Sequence, residues 1–488
     1  MNSAVFSRRH FTSMCSYSLA SIAAAQLLRR DANAQEVQAT GPQKPVLEPQ
    51  HFDLTPKPSH HPARARAMIS LFMIGGPSQI DMFDPKPELD KRDGQDFSAD
   101  IVFDNKAEAS RRLMKSFAKF HPRGASGIEM SELIPHMGEI ADDITLVRSM
   151  HSDVNNHLPA INALQTGVGQ SGEATLGSWL VQSLGCETKD LPAYVAMTHP
   201  WGAPLVGAKN WTSGKLPSIY SGTAVRPTEP RILNLDPPPH LVGLPQRLQL
   251  DFIKSINEQH LRKHAGNAEL AARIESYRLA ARMQTAAKEA FDISDEPKHI
   301  RELYGVDDEP TKDYGRRCLI ARRLVERGVR FVQLFNNGQS WDHHDSIVKK
   351  LSQRCAEIDR PAMALVKDLK QRGMLEETIV HFGGEMGRLP VIQVPKGDNA
   401  MQRVGRDHNT FGFSQWMAGG GFKSGYVHGR TDDFAHHAVE NVVTNHDYLA
   451  TILSLFGLNH EQVKFQVGTR EIALVPASSG KVCEALFA

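Results

Sequence analysis

The chain has 488 residues, 41% of them apolar, with 56 Lys plus Arg against 55 Asp plus Glu and a formal net charge of +1. That apolar content excludes disorder for most of the chain. The balanced charge, with no block of one sign, excludes a nucleic-acid partner held by general electrostatics. The length fits about two to four domains or one large α/β domain. Histidine is abundant, at 22 residues, which points weakly toward metal or acid–base chemistry.

Residues 1–34 read as an export signal. Ser7-Arg8-Arg9-His10-Phe11 is a twin-arginine pattern, Tyr17 to Leu28 is an apolar small-residue run, and Ala32-Asn33-Ala34 is an A-x-A cleavage site. The run is too short for a permanent membrane span. The expectation is a periplasmic or secreted protein that meets the twin-arginine translocation machinery after folding. Cys15 lies in this signal. Cys186, Cys318, Cys355 and Cys483 are scattered without a C-x-x-C, so they predict free thiols and neither a disulfide framework nor a zinc–cysteine site.

Residues 35–65 are rich in Pro, Gln and Thr without a period and predict an extended linker. The apolar run from Ala67 to Ile74 ends at Gly75-Gly76-Pro77-Ser78 and predicts a buried parallel strand opening into a loop. Leu133, Ile134, Met137 and Ile140 have helical spacing, and Ile144–Val147 reads as a strand. A polar loop and a second helix follow. Residues 244–291 predict an amphipathic helical insertion, with Leu270, Ile274, Tyr277 and Ala281 at helical spacing. A helix through Cys318, Ala321 and Val325 stops at Gly328, and 329–335 is a strand. A helix through Ile347, Leu351, Cys355 and Ile358 meets Pro361, a kink or break. The strand 377–382 closes a βαβ unit, so the sheet is expected to be parallel and right-handed in its crossovers.

Ligands of such sheets bind beyond the carboxyl ends of the strands. There the sequence places Asp81 and Asp84 after the first strand, Trp341-Asp342-His343-His344 after 329–335, and Glu385 and Arg388 after 377–382. Arg406-Asp407-His408 follows in a loop rich in Gly and Asn. Carboxylate with imidazole is the ligand mix for zinc, manganese or similar ions. One ion, or a pair about 4 Å apart, could be held to clamp a phosphoryl or sulfuryl transfer. Arg388 and Arg406 read either as forks for phosphate or sulfate oxygens or as salt-bridge partners of nearby carboxylates. Trp201, Trp211 and Trp416 lie on Gly-rich loops and read as packing residues or sugar-stacking rings. His436, His437 and His446 read as structural or rim residues.

Five segments resemble one family: Phe72–Pro87, Ser149–His157, Trp341–His344, Gly384–Arg388 and Gly405–Gly412. On them the chain, from about 66 to 475, is identified as a member of the domain-of-unknown-function 1501 family, sulfatase-like proteins of the alkaline phosphatase superfamily. The resemblance implies an alkaline phosphatase-like α/β sandwich, with a mostly parallel central sheet and helices on both faces, over residues 66–488. It implies one or two divalent ions (Zn, Mn or Ca), with Asp342, His344 and His408 in one site and Asp81 and Glu385 in a second, Asp84 being the substitute for Asp81. His157-Leu158-Pro159-Ala160-Ile161 stands where sulfatases have C-x-P-S-R, so His157 occupies the position of their nucleophilic cysteine and a formylglycine mechanism is not available. Met386 stands between Glu385 and Gly387 where a harder ligand or Asn is usual. Among roles for His157, metal ligand or acid–base group is favoured over nucleophile, because Asn156 and Asp153 suit a polar site. The catalytic candidates are therefore His157, Asn156 and Arg388.

The expected function is metal-dependent hydrolysis of a sulfate or phosphate ester, on a small molecule or a polysaccharide. The alternative is a non-catalytic descendant of the same fold that binds a carbohydrate or a cell-surface partner. A cofactor-dependent oxidoreductase finds little footing, since no G-x-G-x-x-G and no cysteine cluster is present.

Overall fold

Ala67–Phe72 (β1) is buried at every position because it lies inside a sheet covered on both sides. The computed structural model describes residues 52–233, 235–264 and 267–488. The expected signal peptide, 1–34, lies outside the described residues, as does the linker up to residue 51. Residues 52–65 carry no regular element, and Arg64 and Ala65 donate their backbone N–H groups to Leu455 O.

The remaining strands of the central sheet are β2 (Ile144–His151), β3 (Tyr194–Met197), β4 (Thr223–Val225), β5 (Phe331–Phe335), β6 (Thr378–Gly383), β7 (Phe413–Ala418), β8 (Tyr426–His428) and β9 (Val443–Thr444). Their order is β8-β2-β7-β6-β1-β5-β3-β4, with β9 also on β2. β1 sits between β5 and β6 and is parallel to both, with Ile69 beside Val332 on one side and Val380 on the other. β7 alone among these strands runs antiparallel to its neighbours. The sheet is therefore mostly parallel, as expected.

Alternation along the strands builds two cores. Ile69, Leu71, Val332, Leu334, Val380 and Phe382 face α5 (Lys312–Glu326) and α6 (Ile347–Gln371). Met68, Phe72, Phe331, Phe335 and Ile379 belong to the other core, with residues of α2 (Leu176–Leu184) and α7 (Asn445–Leu455). Each buried Leu, Ile or Phe contributes roughly 1.5–3 kcal/mol. α6 runs through Pro361 without a break. Its lost hydrogen bond is offset by the buried face Ile358, Ala362 and Leu365. The helix-like stretch near 133–140 is instead a 3-10 helix, Met137–Asp143, preceded by Pro135 and capped by backbone bonds to Asp359.

The middle segment forms α3 (Leu244–Lys263) and α4 (Ala268–Phe291). α4 contributes Leu279, Met283, Ala287 and Ala290 to the core, whereas α3 has no buried residue. Among the described residues no helix is long and apolar enough to cross a membrane. The four cysteines of the body are free, and Cys186, Cys318 and Cys355 are buried.

Because β1, β2, β3, β5 and β6 are parallel, the loops that follow them leave from one edge of the sheet. That edge carries the polar cluster described next.

Candidate metal centre

His157 opens α1 (His157–Thr166), the helix that follows β2, so its side chain comes from a fixed helix start. Asp342 and His344 come from the loop after β5. Gly75 lets that loop approach: its φ is +116°, and a Cβ there would strike the Asp342 backbone nitrogen. His408 belongs to a two-residue ladder in which it pairs with Arg388. Gly405 plays the same permissive part as Gly75, because a Cβ on it would strike the His344 backbone.

Three imidazoles converge on one carboxylate. His157 Nε2 is 3.2 Å from Asp342 Oδ2, and His344 Nε2 and His408 Nε2 are 2.9 and 3.4 Å from Asp342 Oδ1. His344 Nε2 and His408 Nε2 lie 3.1 Å apart. The opposite nitrogen of each ring faces an oxygen. His157 Nδ1 is 2.7 Å from Glu385 Oε1, His344 Nδ1 2.6 Å from Gln393 Oε1, and His408 Nδ1 3.3 Å from Asn155 O. An oxygen acceptor behind each Nδ1 fixes the tautomer that carries its proton there. The three Nε2 atoms are then aimed at the same point, and on His157, which has a carboxylate at each nitrogen, an ion there would take the place of the Nε2 proton.

The charges are strongly coupled. Burial works against ionisation of Asp342, but the Arg388 guanidinium and the surrounding histidines outweigh it and hold the carboxyl far below the usual range. Burial likewise opposes the charged form of His157, yet Asp342 and Glu385 raise it to about 9. His344 moves up against burial through Asp342, while burial pushes His408 down.

The residues fit a divalent cation. One ligand atom from each of His157, Asp342, His344 and His408 lies within 4.8 Å of all the others. His157 Nε2 and Asp342 Oδ1 are buried without a well-formed hydrogen bond. Three imidazole nitrogens and a carboxylate oxygen suit zinc and similar ions of intermediate softness. Glu385 is one step behind this set. It holds the far nitrogen of His157 and accepts the Gly75 N–H at 2.9 Å, the position of a carboxylate that orients a ligand.

The other expected residues lie elsewhere. Asp81 is not with the four: Arg406 holds both its oxygens, at 3.0 and 3.3 Å, and Ser78 Oγ donates to it at 2.6 Å. Arg406 also donates to the carbonyls of Met114, Lys115 and Leu389. Asp84 pairs with Lys86 at 3.1 Å and accepts from Thr431 Oγ1. Arg388 is not an open fork for substrate oxygens. It is fully buried, each of its three nitrogens donates to a backbone carbonyl, and its charge meets Asp342 at 2.7 Å. Asn156 is the exposed N-cap of α1, its carbonyl accepting the Ala160 N–H, with no capping bond from its side chain. Trp211 and Trp416 are buried packing residues, whereas Trp201 is exposed.

Gln393, Gln339 and Asp407 also serve the cluster. Gln339 Nε2 donates to Asp342 Oδ2 at 2.8 Å. Asp407 accepts the backbone N–H groups of Asp104, Asn105 and His408, which fixes the His408 strand. Asp407 announces itself only by adjacency to His408, and nothing local marks Gln393.

A family described as "Protein of unknown function (DUF1501)" matches residues 65–487. The chain belongs to this family. For this DUF1501 member, comparison with curated proteins gives no match. Its fold is similar to that of the lipoteichoic acid synthase LtaP from Listeria monocytogenes, at 10% identity and a TM-score of 0.34, over 86% of this chain and 78% of that one. It is similar to a protein in the alkaline phosphatase superfamily from Vibrio parahaemolyticus, at 10% identity and a TM-score of 0.34, over 88% and 83% of the two chains. It is also similar to the PsFucS1 sulfatase from Pseudoalteromonas sp., at 14% identity and a TM-score of 0.32, over 73% and 66%. Likenesses of this size carry no argument about chemistry, which rests on the cluster itself.

Proposed function

We propose that this protein is a metal-dependent hydrolase of sulfate or phosphate esters, with His157, Asp342, His344 and His408 holding a divalent ion. The observation that carries the reading is the convergence of three Nε2 atoms on Asp342, each ring fixed from behind by an oxygen. An ion bound there supplies Lewis-acid activation of the ester and of water. The protein's own groups set the stage for it. Glu385, Gln393 and the Asn155 carbonyl keep the imidazoles aimed, and Arg388 keeps Asp342 ionised at any physiological pH. His344 is the most exposed of the four and marks the side open to a substrate. The N-terminal twin-arginine pattern supports export after folding, so the ion is acquired in the cytoplasm and the substrates are those met outside it, small esters or esterified polysaccharides.

The test is elemental analysis of the purified protein beside an Asp342→Ala/His408→Ala double variant, with a panel of sulfate and phosphate esters. Metal and turnover both lost in the variant support the reading. Turnover that persists in a metal-free protein removes it.

A second reading is a non-catalytic binding protein with a structural ion. Two observations favour it. Four protein donors are enough to close a tetrahedral site. Arg388 and Arg406 are both occupied by carbonyls and carboxylates instead of facing solvent. A metal-loaded protein that binds glycans and releases no product over long incubation decides for this reading.

A further inference from the structure

The tryptophans of this chain are five. Trp179, Trp211, Trp341 and Trp416 are buried, and Trp201 is 71% exposed. An indole left so open gives up a large burial term. Its place makes that exposure informative. Trp201 lies on the loop after β3, and β3 pairs directly with β5, whose own loop carries Asp342 and His344. The two loops are stitched together: Gly338 N donates to Ala203 O at 3.1 Å and Leu205 N to Gly338 O at 3.0 Å. A Cβ on Gly202 would press on Asn337 Oδ1, and Gln339, two residues further, holds Asp342.

The Trp201 loop is also held rigidly from beneath. Tyr194 of β3 donates to Gln333 of β5, Gln333 donates to Gln165 of α1, and Gln165 donates to Asn210, at 2.8, 3.1 and 2.9 Å. Asn210 in turn donates to the carbonyls of Leu205 and Gly207. All four members of this relay are buried. It ties the loop to the helix that begins at His157 and to the strand that leads to Asp342. Within the loop Val206 takes φ +71°, a backbone that a β-branched residue adopts only under constraint from its surroundings. His199 packs its ring edge against the Trp201 indole, with centroids 5.3 Å apart, and its Nδ1 accepts the Trp201 backbone N–H.

We propose that Trp201 is a carbohydrate platform beside the metal cluster, on which a pyranose ring of an esterified glycan stacks. This rests on the ester-hydrolase reading for its substrate and names the class: the alcohol part of the ester is a sugar. The neighbours select that chemistry. Trp201 is the one exposed large apolar side chain of its loop, and Asn337 Oδ1 stands beside the adjoining Gly202, so the indole is a single isolated apolar plane with a polar group next to its loop. A sugar ring has that shape, an apolar face edged by hydroxyls. A lipid chain requires a contiguous apolar patch, and a polynucleotide requires a basic groove that the balanced charge does not provide.

Because the other four indoles are buried, acrylamide quenching of tryptophan fluorescence reports on Trp201. The probes are dextran sulfate, chondroitin sulfate and carrageenan, with poly(U) as the polyanion control. At least one glycan is expected to shield Trp201 from quencher while poly(U) does not. Calorimetric affinity for that glycan is expected to fall roughly tenfold in Trp201→Ala and to be largely restored in Trp201→Phe. Circular dichroism of both variants should match the parent, since the side chain is exposed. No shielding by any of the three glycans, shielding by poly(U) alone, or undiminished glycan affinity in Trp201→Ala overturns the proposal. The readout needs no turnover, so a protein that hydrolyses nothing can still bear out the platform, and an active hydrolase can still refute it.

Discussion

Nε2 of His344 and Nε2 of His408 face each other across 3.1 Å. Both rings have their Nδ1 directed at an oxygen, Gln393 Oε1 and Asn155 O. Two lone pairs at that distance repel unless a proton or a cation lies between or beside them. Asp342 Oδ1 lies 2.9 and 3.4 Å from the two nitrogens, so the three atoms are placed where they could share one ion.

The first prediction concerns these ligands. Asp342→Ala and His408→Ala each remove a donor and leave the others uncompensated in a buried site. The double variant is expected to retain less than a tenth of the metal of the parent when both are purified with zinc and manganese present. Plasma emission analysis per mole of folded protein measures this directly. Equal metal in parent and variant would place the ion elsewhere.

The second separates ligand from support. Glu385 touches His157 Nδ1 and the Gly75 N–H, and the four-donor set closes without it. Glu385→Gln is therefore expected to weaken metal affinity by about 10–100-fold without changing stoichiometry. Competition with a chromophoric chelator gives the affinity, and saturation gives the stoichiometry. A fall in stoichiometry would make Glu385 a ligand in its own right.

Much of this site is legible in the sequence because strand-end position is local information. The apolar run 67–72 marks a central strand, and the carboxylates and histidines just beyond the strands at 331–335 and 378–383 point to the same edge. Partner choice is not local. Asp81 and Asp342 read alike as carboxylates after strands, yet one meets Arg406, 325 residues away, and the other meets three histidines. Arg388 reads either as a substrate fork or as a salt-bridge partner until Asp342 and the carbonyls of Gly76, Trp341 and Arg406 are seen to surround it. Gln393 has no signal at all, since its role depends on a turn that returns the chain to His344. Unbroken passage of α6 through Pro361 depends likewise on packing that only the assembled core supplies.

The third prediction follows from the Asp81–Arg406 pair. Both side chains are fully buried, and breaking a buried pair strands a charge at a cost of about 3–5 kcal/mol. Asp81→Asn is expected to lower the unfolding free energy obtained from urea titration by that amount while the folded fraction keeps the metal of the parent. Loss of metal with unchanged stability would return Asp81 to the metal site.

The fourth concerns acid stability and a histidine outside the cluster. His381 is buried in β6 between Ser70 Oγ and Gln415 Oε1, each 3.1 Å from a ring nitrogen. A neutral ring satisfies both, with Nε2–H donating to Gln415 and Nδ1 accepting from Ser70. Burial lowers its pKa to about 4 from an ordinary 6.5, against the opposing effect of Gln415. A base depressed on folding takes up its proton more readily when unfolded. Its contribution is therefore complete above pH 6.5 and is lost as pH falls toward 4, by about 2 kcal/mol between pH 7 and pH 5. His381→Gln removes the titrating group but keeps a polar side chain between the same partners. The variant is expected to be less stable than the parent at pH 7 and to close about 2 kcal/mol of that gap at pH 5. Parallel urea titrations at the two pH values measure the closure, and a gap that stays constant would mean that the ring titrates in the native core as it does in the unfolded chain.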